Sequence, residues 1–534
     1  MSINVKSASK GVLVLTFTNI LSKILSLIYI PLLIRNIGGI GYGNYYSAYN
    51  VYTFVYMVTI AGSSSAIPKL ISEYSQSGHE KDAMASFKMG RNFLFVMGLI
   101  MTVLLVVLTK PIVDFTGFNN SYLAILFLAP AIIITAIGSA YRGYFQGRNN
   151  LVPLGISQFI EQVLNTICSL VFSYIFMKHS LGLGVAGGAI GTAIGALASL
   201  IYLKYKYIID IRGRRGVKSL PRKHHNKYIV SYIFKYSVPL LISALILYAG
   251  SNLIDQAVIN NSLRSIGYSE AKVSGLYGDF GKYMQLINVP MIIISSLALS
   301  VFPLIARENV SEDKTNLRVA INKLVKIGFI IALPSAIGLS VLSSSVFRAI
   351  FGTSQMGGSK IMLYGAYVFI FSAIYQLSNT MLNSLGKVTE GAVTSFISVA
   401  IRVICSYIFI RISVINIYGA IIGLLVSNFV AMVINMFIIE KHMQARESTL
   451  KSIVKPTIAA VIMGIVVYFI NLGLQMTLVS VAGYIGNVIS LMITGYIGAI
   501  VYLQVMVRIK GITKEDMDIF PAKLRRLFLI RNLA

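Results

Sequence analysis

Three basic residues that lie inside long apolar runs are the side chains of this sequence best placed to do chemistry. They are Lys23, Lys282 and Arg402. A charge at the centre of a bilayer costs at least about 2.5 to 3.5 kcal/mol, so each should face a partner or a hydrated cavity. In a cavity of low dielectric, such cations would attract phosphate groups strongly. Lys23 lies near the middle of its run, too deep to reach the membrane surface easily.

Polar residues recur at helical spacing around these cations. Asn19, Lys23 and Ser26 fall on one helix face. Five other apolar runs contain comparable sets of polar residues: Gln158, Gln162, Asn165 and Ser169 with Glu161 alongside; Ser251, Asn252 and Asp255; Asp279 and Lys282; Ser372, Gln376, Asn379 and Asn383; and Ser395, Ser398, Arg402 and Cys405. Their repetition predicts a central water-filled cavity. The alternative for any single residue is hydrogen bonding between helices.

A ladder of tyrosines is the second motif that could bind a ligand. Tyr45, Tyr49, Tyr52 and Tyr56 follow one another at steps of three or four residues. Their rings and hydroxyls could stack on a sugar and donate hydrogen bonds to it, although core packing explains the same spacing. Because the chain has 31 Tyr and no Trp, tyrosine must also supply the aromatic belt at the membrane surface.

The composition shows what must position these residues. The chain has 534 residues, 56% of them apolar, with a mean hydropathy of +0.77, which excludes a soluble protein and predicts an all-α polytopic membrane protein. The 46 basic and 18 acidic residues give a net charge of +28. Membrane proteins gather Lys and Arg on their cytoplasmic loops, so this charge does not require a nucleic acid partner.

Fourteen apolar runs are long enough to cross a bilayer. They are residues 11–34, 43–66, 91–109, 122–141, 156–177, 185–203, 238–260, 279–304, 324–345, 361–383, 393–410, 417–439, 456–473 and 483–507. If the N-terminus is cytoplasmic, most basic residues lie inside, and the outer loops hold only Arg35, Lys110, Lys178, Arg264, Lys272, Arg348, Lys360 and Arg411. We therefore expect a multi-pass protein of the cell membrane with both termini in the cytoplasm.

An internal repeat divides the spans. The segment GRNNLVPLGISQFI near Gly147 is echoed by GKVTEGAVTSFI near Gly386, and GGAIG at 187–191 by YGAIIG at 418–423. These offsets predict two parallel six-helix lobes followed by two C-terminal helices. The expected domains are an N-terminal lobe at 1–204, a basic cytoplasmic loop and hinge at 205–237, a C-terminal lobe at 238–440, a lipid-tail groove at 441–507 and a cytoplasmic tail at 508–534.

Sequence motifs for catalysis are missing. The chain has no phosphate-binding GxxxxGK[ST] loop and no HExxH, and its two cysteines, Cys168 and Cys405, lie inside apolar runs. We expect a transporter that is not an enzyme and needs no cofactor. Its energy would then come from a coupling ion, Na⁺ or H⁺, or from the membrane potential.

Four segments carry a family resemblance. They read GVLVLTFTNILSKILSLIYIPLLIRNIG at 11–38, IAGSSSAIPKLISEY at 60–74, LAPAIIITAIGSAYRGYFQGRNNLVPLGISQFIEQ at 128–162 and NLIDQAVINNSLRSIGYSEAKVSGLYG at 252–278. This text resembles the stage V sporulation protein B-like polysaccharide transporters. That group belongs to the multidrug/oligosaccharidyl-lipid/polysaccharide (MOP) exporter superfamily and is related to the MurJ-type lipid II flippases.

The resemblance implies a V-shaped transporter and a cargo. The cargo would be an undecaprenyl-diphosphate-linked glycan, first of all the peptidoglycan precursor lipid II, carried from the inner to the outer leaflet. Ser22 and Lys23 match the place where those flippases bind the diphosphate. Asp255, Asn379 and Asn383 match their sodium ligands, with an amide where a carboxylate is expected. The full set expected to bind the substrate is Lys23, Ser22, Asn19, Lys282, Arg402, Glu161, Gln162 and Tyr52.

Other functions fit the same sequence. A flippase for another lipid-linked polysaccharide would differ only in its cargo, and a MATE-like multidrug exporter would need an acid-lined pocket. A membrane glycosyl- or phosphotransferase would need clustered carboxylates. A scaffold in sporulation or wall synthesis would tolerate neutralisation of every cation in the spans. Membrane lipids and cell-wall synthesis enzymes are the further partners expected.

Overall fold

The chain folds into α-helices. The computed structural model describes residues 5–214, 219–310, 315–443 and 449–512, and these ranges contain no strand. The helices are α1 (Val5–Ile60), α2 (Ser63–Gln76), α3 (Glu80–Thr116), α4 (Tyr122–Gly147), α5 (Val152–Met177), α6 (Leu181–Gly213), α7 (Asn226–Tyr248), α8 (Asp255–Ser265), α9 (Glu270–Val310), α10 (Thr315–Val341), α11 (Ser343–Phe351), α12 (Gly357–Gly365), α13 (Val368–Ser384), α14 (Val388–Ile410), α15 (Tyr418–Met443), α16 (Thr449–Leu474) and α17 (Ser480–Arg508).

The helices are long and apolar enough for a multi-pass membrane protein. Within the described residues, ten helical stretches could each cross a bilayer, or eleven with the bent pair α12–α13. Two stretches, Phe17–Gln76 and Ile453–Arg508, have 60 and 56 residues, enough for two crossings each. All fourteen predicted spans fall on helices, with short breaks inside a few of them. Most of the predicted tail at 508–534 lies outside the described residues.

Local signals explain several helix boundaries. Gly38 divides α1 because its φ of 72° and ψ of 175° are not helical, a conformation that glycine adopts without a Cβ penalty. α3 ends at Gly117, which has a left-handed φ of 76°. α6 begins after Ser180, whose side chain accepts a hydrogen bond from the Leu183 amide. Turns of π-helix at Ala249–Ile254 and Gln475–Val479 precede α8 and α17.

The chain divides into two compact units. The first comprises residues 1–278 and the second residues 279–534, so the boundary falls inside α9. The domain limits expected from the sequence, with a hinge at 205–237, stay a prediction. In the structure α6 continues to Gly213 and α7 begins at Asn226, so both helices extend into the expected loop. Tyr207 near the end of α6 packs against Phe87 of α3, with ring centroids 4.6 Å apart.

In the first unit, glycines let α5 and α6 pack with almost no space between their backbones. Gly187, Gly191 and Gly195 lie four residues apart on α6. A Cβ on Gly187 would lie 2.5 Å from the Phe172 carbonyl oxygen, and one on Gly195 would lie 2.4 Å from that of Glu161. Contacts this short require residues without a side chain, which is typical of helix pairs in membranes.

The second unit repeats this contact between α14 and α15. A Cβ on Gly419 would lie 2.5 Å from the Ile410 backbone nitrogen, and one on Gly423 would lie 2.6 Å from Ser406 Oγ. In the first unit, Gly191 has the same relation to Ser169, at 2.2 Å. The glycine echo in the sequence therefore corresponds to the same kind of helix contact in each unit.

The two C-terminal helices present apolar side chains on their surfaces. Residues 457–507 contain no charged residue. Phe469 and Met476 are 65% and 70% exposed, and Val481 and Met492 reach 88% and 72%. Apolar surface of this extent suits contact with lipid chains.

Candidate functional site

Lys23 projects from the first half of α1 without an acidic partner. Its side chain is exposed, and it makes no ion pair within the part of the chain that the structure describes. Asn19, one turn earlier, is also exposed, whereas Ser22 is half-buried and its hydroxyl has no hydrogen-bond partner among the described residues. The structural ion pair considered for Lys23 is therefore not formed with any described residue.

Lys23 does not share the apolar stripe of its helix. Phe17, Ile20, Ile24 and Ile28 are between 47% and 62% exposed and lie along one side of α1. At 3.6 residues per turn, Lys23 lies about 100° from the centre of this stripe and about 60° from Ile20, its nearest member around the helix. A lysine placed among acyl chains pays the cost of desolvation, so this offset favours contact with water.

An ion pair between Arg142 and Glu161 lies inside the first unit. The Arg142 guanidinium on α4 donates to the Glu161 carboxylate on α5 and, at 3.1 Å, to Ser199 Oγ on α6. The two charged side chains are only 19% and 27% exposed. Arg142 Nε is buried and has no hydrogen-bond partner among the described residues, so the guanidinium keeps one unused donor.

The tyrosine ladder lies beside this pair. The Tyr49 and Tyr52 rings are 5.6 Å apart, and those of Tyr52 and Tyr56 are stacked at 5.9 Å with an angle of 7°. Tyr52 interacts electrostatically with both Arg142 and Glu161. Tyr52 is 6% exposed and Tyr49 is 36% exposed, so packing describes Tyr52 better and Tyr49 is the more accessible ring.

Several of the predicted polar stripes join helices instead of lining open space. Asn165 Oδ1 on α5 accepts hydrogen bonds from Ser169 Oγ at 3.0 Å and from Thr192 Oγ1 of α6 at 3.3 Å. In the second unit, Asn428 of α15 donates to Ser372 of α13 at 2.7 Å. Interhelical hydrogen bonding, the alternative considered for these stripes, holds for these residues. Gln162 is half-buried, and its amide nitrogen donates a hydrogen bond to Thr166 Oγ1 at 3.4 Å.

Lys282 forms a buried ion pair. It is 1% exposed, and its ammonium donates to Asp279 Oδ1 at 2.8 Å and to Gln355 Oε1 at 2.7 Å. Because Asp279 lies one turn earlier on α9, its carboxylate already balances this charge. The expectation that Lys282 supplies free positive charge to a cargo therefore has no support in the structure.

Arg402 lies on α14, within the glycine contact of the second unit. It is half-buried and interacts electrostatically with the Tyr283 hydroxyl. A Cβ on Gly423 would lie 2.9 Å from the Arg402 carbonyl oxygen. The role of Arg402 in binding a substrate stays a prediction.

The three residues expected to bind sodium belong to different units. Asp255 is buried at the start of α8 in the first unit. Asn379 and Asn383 lie on α13 in the second unit, and a Cβ on Gly391 would lie 2.7 Å and 3.7 Å from their Oδ1 atoms. Among the described residues, no three His, Cys, Asp or Glu side chains form a group that could hold a metal ion. Sodium coupling stays a prediction.

Arg142 was missed by the sequence analysis. The fourth apolar run ends at residue 141, which places Arg142 in the loop that follows it. The signal was Glu161: a carboxylate inside a span needs a cation, and Arg142 and Arg148 are the two basic residues that precede it at the end of the fourth run.

Comparison with known proteins identifies the family. A model of the polysaccharide biosynthesis protein family matches residues 8–309, more than half of the chain. The chain belongs to this family. Two relatives from Bacillus subtilis (strain 168) are similar to this family member over most of their length. The lipid II flippase MurJ is 23% identical over 489 residues, covering 86% of this chain and 88% of MurJ. Stage V sporulation protein B is 26% identical over 395 residues, covering 70% and 74%.

Solved structures identify the fold of this polysaccharide biosynthesis family member. The inward closed conformation of the lipid II flippase MurJ covers 93% of this chain, with 98% of its own chain matched, a TM-score of 0.67 and 15% identity. An inward-facing MATE multidrug transporter of the MOP superfamily covers 79%, with 94% of its own chain matched, a TM-score of 0.65 and 14% identity. The predicted fold class, an all-α polytopic membrane protein with the fold of MOP-type transporters, is confirmed.

Proposed function

We propose that this protein is a flippase that moves an undecaprenyl-diphosphate-linked glycan from the inner to the outer leaflet, with lipid II as the first candidate. The observation that carries the proposal is the exposed ammonium of Lys23, which has no acidic partner among the described residues. Membership of the polysaccharide biosynthesis family and similarity to MurJ over 86% of the chain support this class of cargo.

The charge of the cargo fits the charge of Lys23. A diphosphate is an anion, and its attraction to an ammonium grows as water is excluded from around the two. Two other cations already have acidic partners: Lys282 is paired with Asp279, and Arg142 is paired with Glu161. Lys23 is therefore the intramembrane cation of the first unit on which we base diphosphate binding.

The other parts of the molecule have supporting roles in this proposal. The apolar surfaces of α16 and α17 would accompany the prenyl tail, because lipid chains prefer apolar contacts. The Tyr49 ring is accessible enough to stack on a sugar. The repeated helix contacts of the two units fit transport by alternating access, in which one repeat moves against the other.

A multidrug exporter is the second candidate because the MATE transporter has a TM-score close to that of MurJ. Export of cationic drugs requires an accessible acid. In the first unit, the Glu161 carboxylate is engaged by Arg142 and is only 27% exposed. This pairing favours an anionic cargo over a cationic one.

The decisive experiment measures how much lipid II reaches the outer leaflet in cells depleted of this protein. An externally added enzyme that modifies lipid II reports the outer pool. We expect the outer pool to fall and total lipid II to persist, and re-expression of the wild-type chain should restore it. An unchanged outer pool in cells with no second flippase would contradict lipid II as cargo. Inner-leaflet accumulation of a different lipid-linked sugar would then identify the alternative glycan.

A further inference from the structure

A pocket in the first unit lies between the charged ends of three long helices. Its volume is about 560 Å³, within the range of ligand sites. The N-terminal end of α3, the C-terminal ends of α4 and α6 and the segment before α7 enclose it. Its lining residues are Glu80, Lys81, Met84, Ala85, Lys88, Met89, Arg148, Ile211, Arg214, Ser219, Arg222 and Asn226.

Three arginines of the pocket are held by carboxylates. Arg148 forms a two-point contact with Glu80, at 2.8 and 3.2 Å. Arg214 Nε donates to Asp210 Oδ2 at 2.9 Å. Each planar guanidinium is held in one orientation by its carboxylate. We call Arg148, Arg214 and the third arginine, Arg222, the arginine frame of the pocket.

The third arginine attaches the segment before α7 to the same frame. Arg222 Nε donates to Asp82 Oδ1 at 3.3 Å, and the Lys223 backbone amide donates to Asp82 Oδ2 at 2.7 Å. Asp82 is fully buried. The pocket wall formed by residues 219–226 is therefore tied to the first turn of α3.

Two lysines of the pocket have no such partner. Lys81 and Lys88 are exposed, and neither makes an ion pair within the described ranges. They share one face of α3 with Met84 and Ala85, because the spacing of three, four and seven residues returns to the same side of a helix. The two lysines leave an excess of two positive charges, separated along the helix by about 10 Å.

The pocket also lies at the edge of the apolar surface. Phe95 and Val96, two turns after Lys88 on α3, are 45% and 50% exposed, and the apolar surface of α3 continues from there. Met84 and Met89 add apolar atoms to the pocket itself. A ligand here would meet both cations and hydrocarbon. Basic pockets between helices at a membrane surface are suited to the headgroups of anionic lipids.

We propose that this pocket binds a lipid headgroup that carries two phosphate charges. The arginine frame shapes the site, and Lys81 and Lys88 supply the two charges that the protein leaves unbalanced. The lipid could carry its charges on two separate phosphates or on one diphosphate, and the experiment distinguishes them. The site does not depend on Lys23 or on the identity of the transported cargo.

The test uses the full chain in phosphatidylcholine nanodiscs. Binding of cardiolipin, which has two phosphates, and of undecaprenyl diphosphate is measured for the wild type and for K81Q/K88Q. The matched control is K204Q/K227Q, which removes two exposed lysines from the neighbouring parts of α6 and α7 that do not line the pocket. K81R/K88R keeps the charge and should retain binding.

We expect K81Q/K88Q to weaken binding of one of these lipids about 30-fold, which corresponds to about 1 kcal/mol per lysine. The control should change binding less than about threefold, and the lipid that shows the selective loss is the occupant. Equal loss in both double variants would mean general surface attraction and would overturn the proposal, as would no loss in either. Inorganic diphosphate that binds as tightly as the lipids would overturn the assignment to a lipid.

Discussion

Arg142 and Glu161 form an ion pair between α4 and α5, and the same guanidinium also reaches Ser199 on α6. One side chain thus joins three helices of the first unit. Both charges are largely covered by protein. A pair of this kind holds the helices in one arrangement, and it neutralises the carboxylate that a cationic ligand would need.

We predict that Arg142→Gln and Glu161→Gln each destabilise the protein, by about 1–3 kcal/mol, because each leaves one buried group without its partner. The double variant R142Q/E161Q should recover part of this loss, since two amides can hydrogen-bond to each other. Thermal unfolding of the three purified variants in one detergent measures the coupling. Strictly additive losses would show that the two side chains do not stabilise each other.

We predict that Lys23→Gln abolishes most flipping, by at least about tenfold, while the protein inserts and folds normally. The reason is that Lys23 is exposed and removal of its charge leaves no buried carboxylate unbalanced among the described residues. Lys23→Arg should retain part of the activity. The measurement is the rate at which labelled lipid II crosses the bilayer of proteoliposomes, and Lys110→Gln, on the exposed surface of α3, is the control.

For Lys282 we predict a different outcome, in which transport and the amount of folded protein fall together. Lys282→Met leaves the Asp279 carboxylate without the ammonium that balances its charge. We therefore expect the amount of folded protein to fall in proportion to the loss of transport. A well-folded Lys282→Met protein without transport would mean that Lys282 acts on the cargo. A fully active Lys23→Gln protein would remove Lys23 from the site.

We predict that Gly191→Ala destabilises the α5–α6 contact by about 1–3 kcal/mol, because its Cβ would lie 2.2 Å from Ser169 Oγ. The matched control is Gly138→Ala on α4, where a Cβ meets nothing within 4 Å. There, the better helix propensity of alanine should leave stability unchanged or raise it by up to about 1 kcal/mol. The melting temperatures of the two variants in the same detergent provide the check. Equal melting temperatures would contradict the close packing at Gly191.

The fold was predictable because apolar runs of about 20 residues have few alternatives in a membrane protein. The helix positions and the glycine echo between 187–191 and 418–423 followed directly from the sequence. Only one of the two partners of Lys282 was predictable from the sequence. Asp279 stands three residues away in the same helix, but Gln355 is distant in sequence and reaches the ammonium only through tertiary packing.

Two features could not be read from spacing. A polar stripe has the same periodicity whether it faces water or a neighbouring helix, so Asn165 gave no sign that Thr192 would hydrogen-bond to it. The end of an apolar run does not show where the protein interior ends. Arg142 follows the last apolar residue of its run, yet the packing of α4 against α6 places its side chain inside the unit.

The glycine contacts also bear on how the chain is assembled during synthesis. Only residues 178–180 separate α5 from α6, and only residues 411–417 separate α14 from α15. The two helices of each pair can therefore associate as a hairpin soon after both have entered the bilayer, before the later helices of the protein exist. Each half of the protein therefore contains one pair of neighbouring helices that can associate before the helices after it are synthesised.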